Sequence, residues 1–224
     1  MKHRVILGLL LTASAVQADT LALWNFNTDS LIPSTGAGTL SPIGGVSSFF
    51  GFGNGSGDPE VPNRAWGIGN LPPQGTDSGT AGMEGSVSTI GFSDIQLSFD
   101  IKTQFSSSKY YEVRYRTSNA GSWVTAASFG VATEDVWENQ KTFDLSTLDS
   151  AVNNNAQFQF QVVAIFKPGT DTYAGMNDLA NSYGGFGTVN DRVTVSGTAI
   201  PEPEQWAFIL GCAGLGLLWR RSRR

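Results

Sequence analysis

Histidine and cysteine, the side chains used most often for nucleophilic catalysis and zinc binding, are almost absent from this chain of 224 residues. The single histidine is His3 and the single cysteine is Cys212, and each lies in a terminal segment. The central part of the chain therefore has no imidazole and no thiol. This excludes Ser-His-Asp and Cys-His catalysis there, and also zinc held by histidine or thiolate and internal disulfides.

Carboxylates are the remaining groups that could catalyse a reaction, as a facing acid pair does in glycoside hydrolysis. The glutamates of the central part are Glu60, Glu84, Glu112, Glu134 and Glu138. Glu112 lies near two arginines and two of the others share a short acidic turn, which is typical of solvated surface charges. We therefore expect no enzyme activity. A carboxylate-dependent glycan hydrolase is the third hypothesis for the function.

Calcium is the metal that the polar loops favour, because hard cations prefer oxygen ligands. The spacing of an EF-hand loop does not occur in the chain. The candidate ligands are Asp29, Asp171, Asp178 and Asp191, with Asn25 also available. The alternative is that these residues form ordinary turns. We expect no cofactor other than calcium.

Aromatic residues in the two longest predicted loops suggest sugar binding, because aromatic rings stack on the apolar faces of sugars. The candidate rings are Trp66, Tyr173, Tyr183 and Phe186. The alternative for each ring is that it fills an end of the hydrophobic core.

Charge excludes nucleic acid as a partner. Residues 19–200 contain eight Lys/Arg and seventeen Asp/Glu, a net charge of −9. A domain this acidic is repelled by a phosphate backbone.

Alternating apolar and polar residues predict an all-β domain. The clearest strands are expected at 20–26, 95–102, 111–117, 123–129, 158–166 and 192–198, with shorter ones at 47–52 and 86–92. A weak helical stripe occupies 145–152, and long loops are expected at 53–85 and 167–191. Many short strands joined by polar, glycine-rich segments favour an antiparallel β-sandwich of jelly-roll type, whose first and last strands could pair.

The order of these segments is similar to that of extracellular jelly-roll modules. The matching pieces are a Phe-Asp-Leu-Ser segment at 143–146, the long aromatic strand at 158–166 and the closing Asp-x-Val-x-Val sequence at 191–195. The resemblance implies a carbohydrate-binding module as the alternative function.

The N-terminal residues have the features of a secretory signal peptide. Basic residues at 2–4 precede an apolar stretch at 5–15, and small residues favour cleavage between Ala18 and Asp19. We expect a helix there, delivery by the Sec translocon and removal by signal peptidase.

The C-terminal residues form a tripartite pattern. Pro201, Glu202 and Pro203 precede an apolar run that begins at Trp206 and ends at Trp219. The basic tail that follows contains Arg220, Arg221, Arg223 and Arg224. Tryptophan favours the edges of a bilayer and arginine its cytoplasmic side, so we expect a transmembrane helix with residues 19–200 outside.

This ending resembles the PEP-CTERM sorting signal of Gram-negative bacteria. The resemblance implies recognition by an exosortase, a transient anchor in the inner membrane, and a link to exopolysaccharide and biofilm. We therefore expect a signal peptide at 1–18, a β-sandwich at 19–199 and a sorting signal at 200–224. The first hypothesis is an exported envelope or extracellular-matrix protein with a structural or adhesive role.

Overall fold

The computed structural model describes residues 18–201, which form two antiparallel β-sheets packed face to face. The strands are β1 Asp19–Trp24, β2 Thr35–Gly36, β3 Thr39–Ile43, β4 Ser47–Phe52, β5 Arg64–Gly69, β6 Gly82–Ser86, β7 Phe92–Thr103, β8 Tyr110–Arg116, β9 Val124–Gly130, β10 Glu138–Asp144, β11 Gln159–Ala164 and β12 Thr188–Ala199. Two short 3₁₀ turns lie at Ser150–Val152 and Ala180–Ser182. The predicted all-β antiparallel sandwich is confirmed.

The terminal helices predicted for the signal peptide and the sorting signal lie outside the described residues. Within residues 18–201, no helix combines the length and the hydropathy that crossing a bilayer requires.

The larger sheet has seven strands and the smaller has five. In the seven-stranded sheet the order is β10-β7-β12-β1-β2, and the first part of β12 also pairs with β5, which pairs with β4. The five-stranded sheet has the order β3-β6-β11-β8-β9. As expected, strands near the two ends of the domain pair: Asp19 of β1 lies opposite Gly197 of β12.

The core lies between the sheets and follows the period of two along each strand. In β7, Ile95, Leu97 and Phe99 are fully buried, whereas the residues between them are polar. Each of the six residues of β11 is buried: alternate side chains face the core, and side chains of the neighbouring strands, such as Glu84 and Arg116, contact the outward glutamines. Toward the end of the strand both faces are apolar, because Val162, Val163 and Ala164 follow one another.

Several predicted boundaries were wrong. The predicted strand 86–92 is the connection 87–91 with the last residue of β6 and the first of β7, and the helical stripe at 145–152 contains only the 3₁₀ turn. The predicted loop 53–85 contains β5 and most of β6. Both strands are rich in glycine, which hides the alternation on which the prediction depends.

Candidate functional site

Polar side chains cover the outward face of the five-stranded sheet, in rows that cross neighbouring strands. In the longest row, Ser41 of β3, Glu84 of β6, Gln161 of β11, Arg114 of β8 and Thr125 of β9 lie opposite one another in turn. Five strands at about 4.8 Å spacing make this row roughly 19 Å long.

A second row runs parallel to the first. It places Ser86 of β6, Gln159 of β11 and Arg116 of β8 opposite one another, and Glu112 lies two residues before Arg114 on the same face of β8. We call the set Glu84, Glu112, Arg114, Arg116, Gln159 and Gln161 the polar face.

Hydrogen bonds fix the side chains of the polar face in one arrangement. The Gln161 amide donates to Glu84 Oε2 at 2.7 Å, and Arg116 Nε donates to Gln159 Oε1 at 2.7 Å. Arg114 Nη2 lies 2.6 Å from Glu112 Oε2. The glutamines are only 8% and 7% exposed although they face outward, so their neighbours hold them in place before any ligand arrives.

One aromatic ring borders the polar face. Trp123 immediately precedes β9, and the guanidinium carbon of Arg116 lies 4.4 Å from the centroid of its ring. This distance is that of a cation–π contact, which fixes the ring and the arginine together. Trp123 was not among the rings predicted from the sequence to bind sugar. The sequence offers one indication of its role: Trp123 lies one residue before β9, and β9 pairs with β8, which carries the arginines.

The polar face is electrically balanced, unlike the domain as a whole. Two arginines and two glutamates belong to it, whereas residues 19–200 carry a net charge of −9. The face therefore offers many hydrogen-bond donors and acceptors without a net charge, which suits a neutral ligand rich in hydroxyl groups.

The four aromatic residues predicted for sugar binding do not form one site. Trp66 and Tyr173 are fully buried, and Tyr183 stacks on Tyr173 with ring centroids 4.6 Å apart. Burial raises the pKa of Tyr173 to about 12. These three rings fill the core, as the alternative stated. Phe186 alone is exposed, at 57%.

The four aspartates predicted for calcium are also separated. Asp29 pairs with Arg64 at 2.7 Å, and Asp178 pairs with Lys167 at 2.8 Å. Lys167 and the Tyr110 hydroxyl lower the pKa of Asp178 by hydrogen bonding. Within residues 18–201, no group of three or more Asp, Glu, His or Cys residues has the geometry to hold a metal ion. The described residues therefore do not bring these four aspartates into one site, and calcium binding stays a prediction.

Asp191 instead forms an acid pair with Asp100, which lies opposite it on β7. Both are buried beneath the segment 53–63. The Ser56 hydroxyl donates to Asp191 at 2.5 Å, and the backbone N–H of Gly57 donates to Asp100 at 2.7 Å. Burial raises the pKa of Asp191 to about 7, with Asp58 and Asp100 adding to the effect. The pair thus fastens a loop to the sheet.

The predicted sorting residues, from Glu202 to the basic tail, lie outside the described residues, and so does the predicted signal peptide apart from Ala18.

No protein-family model and no curated protein matches this chain. Among solved structures, a tandem of carbohydrate-binding modules from Paenibacillus barcinonensis is similar, with 14% identity and a TM-score of 0.48 over 85% of this chain. The chain spans about half of that tandem (49%). A cleaved adhesin domain of Lys-gingipain from Porphyromonas gingivalis has 11% identity and a TM-score of 0.46, with 83% of this chain and 100% of that domain covered. A carbohydrate-binding module of the β-sandwich superfamily has 14% identity and a TM-score of 0.44, with 81% and 63% covered.

Proposed function

We propose that the chain is an exported, non-catalytic protein that binds a polysaccharide along the polar face. The observation that carries this proposal is the cross-strand network of Glu84, Gln161, Arg116 and Gln159, whose planar side chains are held by one another beside Trp123. Carbohydrate binding was the alternative hypothesis of the sequence analysis, and it now becomes the first.

The chemistry of the face fits a sugar chain. Amide, guanidinium and carboxylate groups can each make two hydrogen bonds to neighbouring hydroxyls, and the indole of Trp123 provides a flat apolar surface for one sugar ring. Because the side chains are already ordered, binding costs little additional conformational entropy. The row of about 19 Å is long enough for several sugar residues.

The test is binding of the full chain, purified in a nonionic detergent, to xylan, β-glucan, galactomannan and the exopolysaccharide of its host. We expect retention on at least one of them, and a loss of about tenfold in affinity for Trp123→Ala because one stacking contact disappears. Gln161→Ala should lose about threefold to tenfold, the value of one hydrogen bond. Affinity gel electrophoresis measures both losses.

The matched control is Ser196→Ala, which removes a hydroxyl from the half-buried face of the other sheet. It should bind as tightly as the unchanged chain. Failure to bind any of the four polysaccharides, or equal binding by Trp123→Ala, contradicts the proposal.

We also propose that the C-terminal residues are an exosortase sorting signal, so that the protein is anchored in the inner membrane and then released to the envelope or medium. The support for this is the tripartite order of the sequence, in which Pro201, Glu202 and Pro203 precede an apolar run and a basic tail. The polysaccharide partner would then be exopolysaccharide of the matrix, which gives the protein an adhesive role.

Replacing Pro201, Glu202 and Pro203 together with alanine should leave an unprocessed form in the membrane fraction, because the restricted backbone that prolines impose beside the apolar run is lost. Membrane fractionation and intact mass spectrometry measure the outcome. Gln205→Ala, just outside the motif, should be processed normally. Normal release of the triple variant would contradict the sorting assignment.

A further inference from the structure

An open cavity of about 330 Å³ lies on the outward side of the seven-stranded sheet, away from the polar face. Phe49 of β4, Gly67 of β5, Val189 of β12 and Lys102 of β7 lie opposite one another in turn on this side of the sheet, and all but Gly67 line the cavity. Gly69 also lines the cavity. Because Gly69 has no side chain, the cavity remains open above the end of β5.

Two phenylalanine rings line this cavity and remain about half exposed. Phe49 is 54% exposed and Phe186 is 57% exposed. The ring of Phe49 lies over Gly67, where an added methyl group would come within 2.2 Å of it.

The loop that carries Phe186 is fixed by backbone and side-chain hydrogen bonds. Phe186 forms a β-bridge with Ser107, whose hydroxyl donates to the Gly187 carbonyl at 2.6 Å. The backbone N–H of Gly184 donates to the Ser106 carbonyl at 2.9 Å. Both rings are therefore positioned by the fold and are not covered by it.

The polar groups around these rings narrow the class of ligand. The polar residues Asn70, Gln104 and Ser47 line the cavity. Among the described residues that line it, Lys102 is the only charged one, although the domain is strongly acidic. Exposed rings beside amides and hydroxyls suit a ring with apolar faces and a rim of hydroxyls, which is the chemistry of a pyranose sugar.

We propose that this cavity is a second carbohydrate site, which binds one pyranose unit between Phe49 and Phe186. The inference rests on the proposed function, because it assumes that a glycan is the partner of the domain. The two sites lie on the outward faces of opposite sheets, so one domain would hold two polysaccharide chains. The protein would then cross-link its matrix instead of only adhering to it.

The test is the stoichiometry of binding. The full chain, reconstituted at one chain per lipid nanodisc, is titrated calorimetrically with xylohexaose, cellohexaose and mannohexaose. We expect two molecules bound per chain with at least one of these. Phe186→Ala and Phe49→Ala should each weaken the second site by about tenfold and leave the first unchanged, while Trp123→Ala should weaken only the first. Phe52→Ala, which removes a 75% exposed ring from β4 outside the cavity, should keep both sites.

The outcomes separate the two proposals. One molecule per chain, lost in Trp123→Ala and kept in Phe186→Ala, overturns the second site and leaves the proposed function standing. One molecule lost only in Phe186→Ala overturns the polar face and supports the cavity. Absence of binding by all three hexasaccharides overturns the second site. If Phe186→Ala instead dissociates a dimer of the chain in light scattering, the cavity is an interface between copies and the inference fails.

Discussion

Replacing Asp191 with asparagine should increase the free energy of unfolding at pH 7.5 by roughly 4 kcal/mol, and should change it little at pH 4. Asp191 is fully buried next to Asp100, under the segment that carries Ser56 and Asp58. Burial and the nearby carboxylates raise its pKa from 3.8 to about 7. An asparagine side chain carries no charge at any pH and resembles the protonated acid: its oxygen can accept from the Arg192 N–H, and its amide group can donate to the Ser56 oxygen, where the carboxylate accepts from both.

The direction of the pH dependence follows from proton binding. The folded chain holds the Asp191 proton up to about pH 7, whereas the unfolded chain releases it near pH 3.8. Between these values the unfolded state binds fewer protons, so stability falls as the pH rises from 4 to 7 and is constant above. The contribution of this carboxyl group is therefore fully favourable only below pH 4.

Urea unfolding at half-unit steps between pH 4 and 8, with a chelator present, measures this difference between the unchanged chain and Asp191→Asn. The chelator matters because a bound cation would hold the carboxyl group ionised. Asp171→Asn, which alters an exposed aspartate, should leave the pH profile unchanged. Parallel profiles for the unchanged chain and Asp191→Asn would contradict the prediction.

The sequence predicted the strands whose alternation is carried by large side chains. The segments 95–102 and 111–117 correspond to β7 and β8, because residues such as Phe99 and Tyr111 mark the buried face. β5 and β6 were missed for a physical reason. Gly67 and Gly85 lie opposite Phe49 and Phe160, and each glycine leaves the space that the neighbouring ring fills. The large apolar side chain that fills each of these positions therefore belongs to the neighbouring strand, and the sequences of β5 and β6 do not show it.

The polar face could be predicted only in part. Glu112 and Arg114 lie two residues apart, so their pairing on one face of β8 is a local property of the sequence. Gln161 and Glu84 are 77 residues apart. The register of β11 against β6 brings them together, and no local pattern specifies it. The residues Ser56 and Asp191 are 135 positions apart, so no local pattern predicts their contact either. Without that contact, Asp191 looks like an unpartnered loop carboxylate, which is why it was predicted as a calcium ligand.

The second large change in stability is expected when a glycine of β6 is replaced. Gly85→Ala should destabilise the domain by roughly 2–3 kcal/mol and lower its Tm by roughly 5–10 °C. A methyl group at this position would lie 2.3 Å from the ring of Phe160. That ring is fully buried and packs against Trp24 and Phe158, each at a centroid distance of 6.4 Å, so it cannot move aside without displacing other core residues.

Gly51→Ala is the matched control, because it alters another strand glycine where the nearest atom would be 3.8 Å away. Its methyl group makes an ordinary contact and restricts the unfolded chain, so stability should be unchanged or slightly higher. Differential scanning calorimetry of both variants measures the contrast. If Gly51→Ala and Gly85→Ala destabilise the domain equally, the loss of stability comes from the backbone and not from a clash with the ring of Phe160. If the ring is the cause, adding Phe160→Leu to Gly85→Ala should cost less than the sum of the two single changes, because the smaller side chain leaves room for the methyl group.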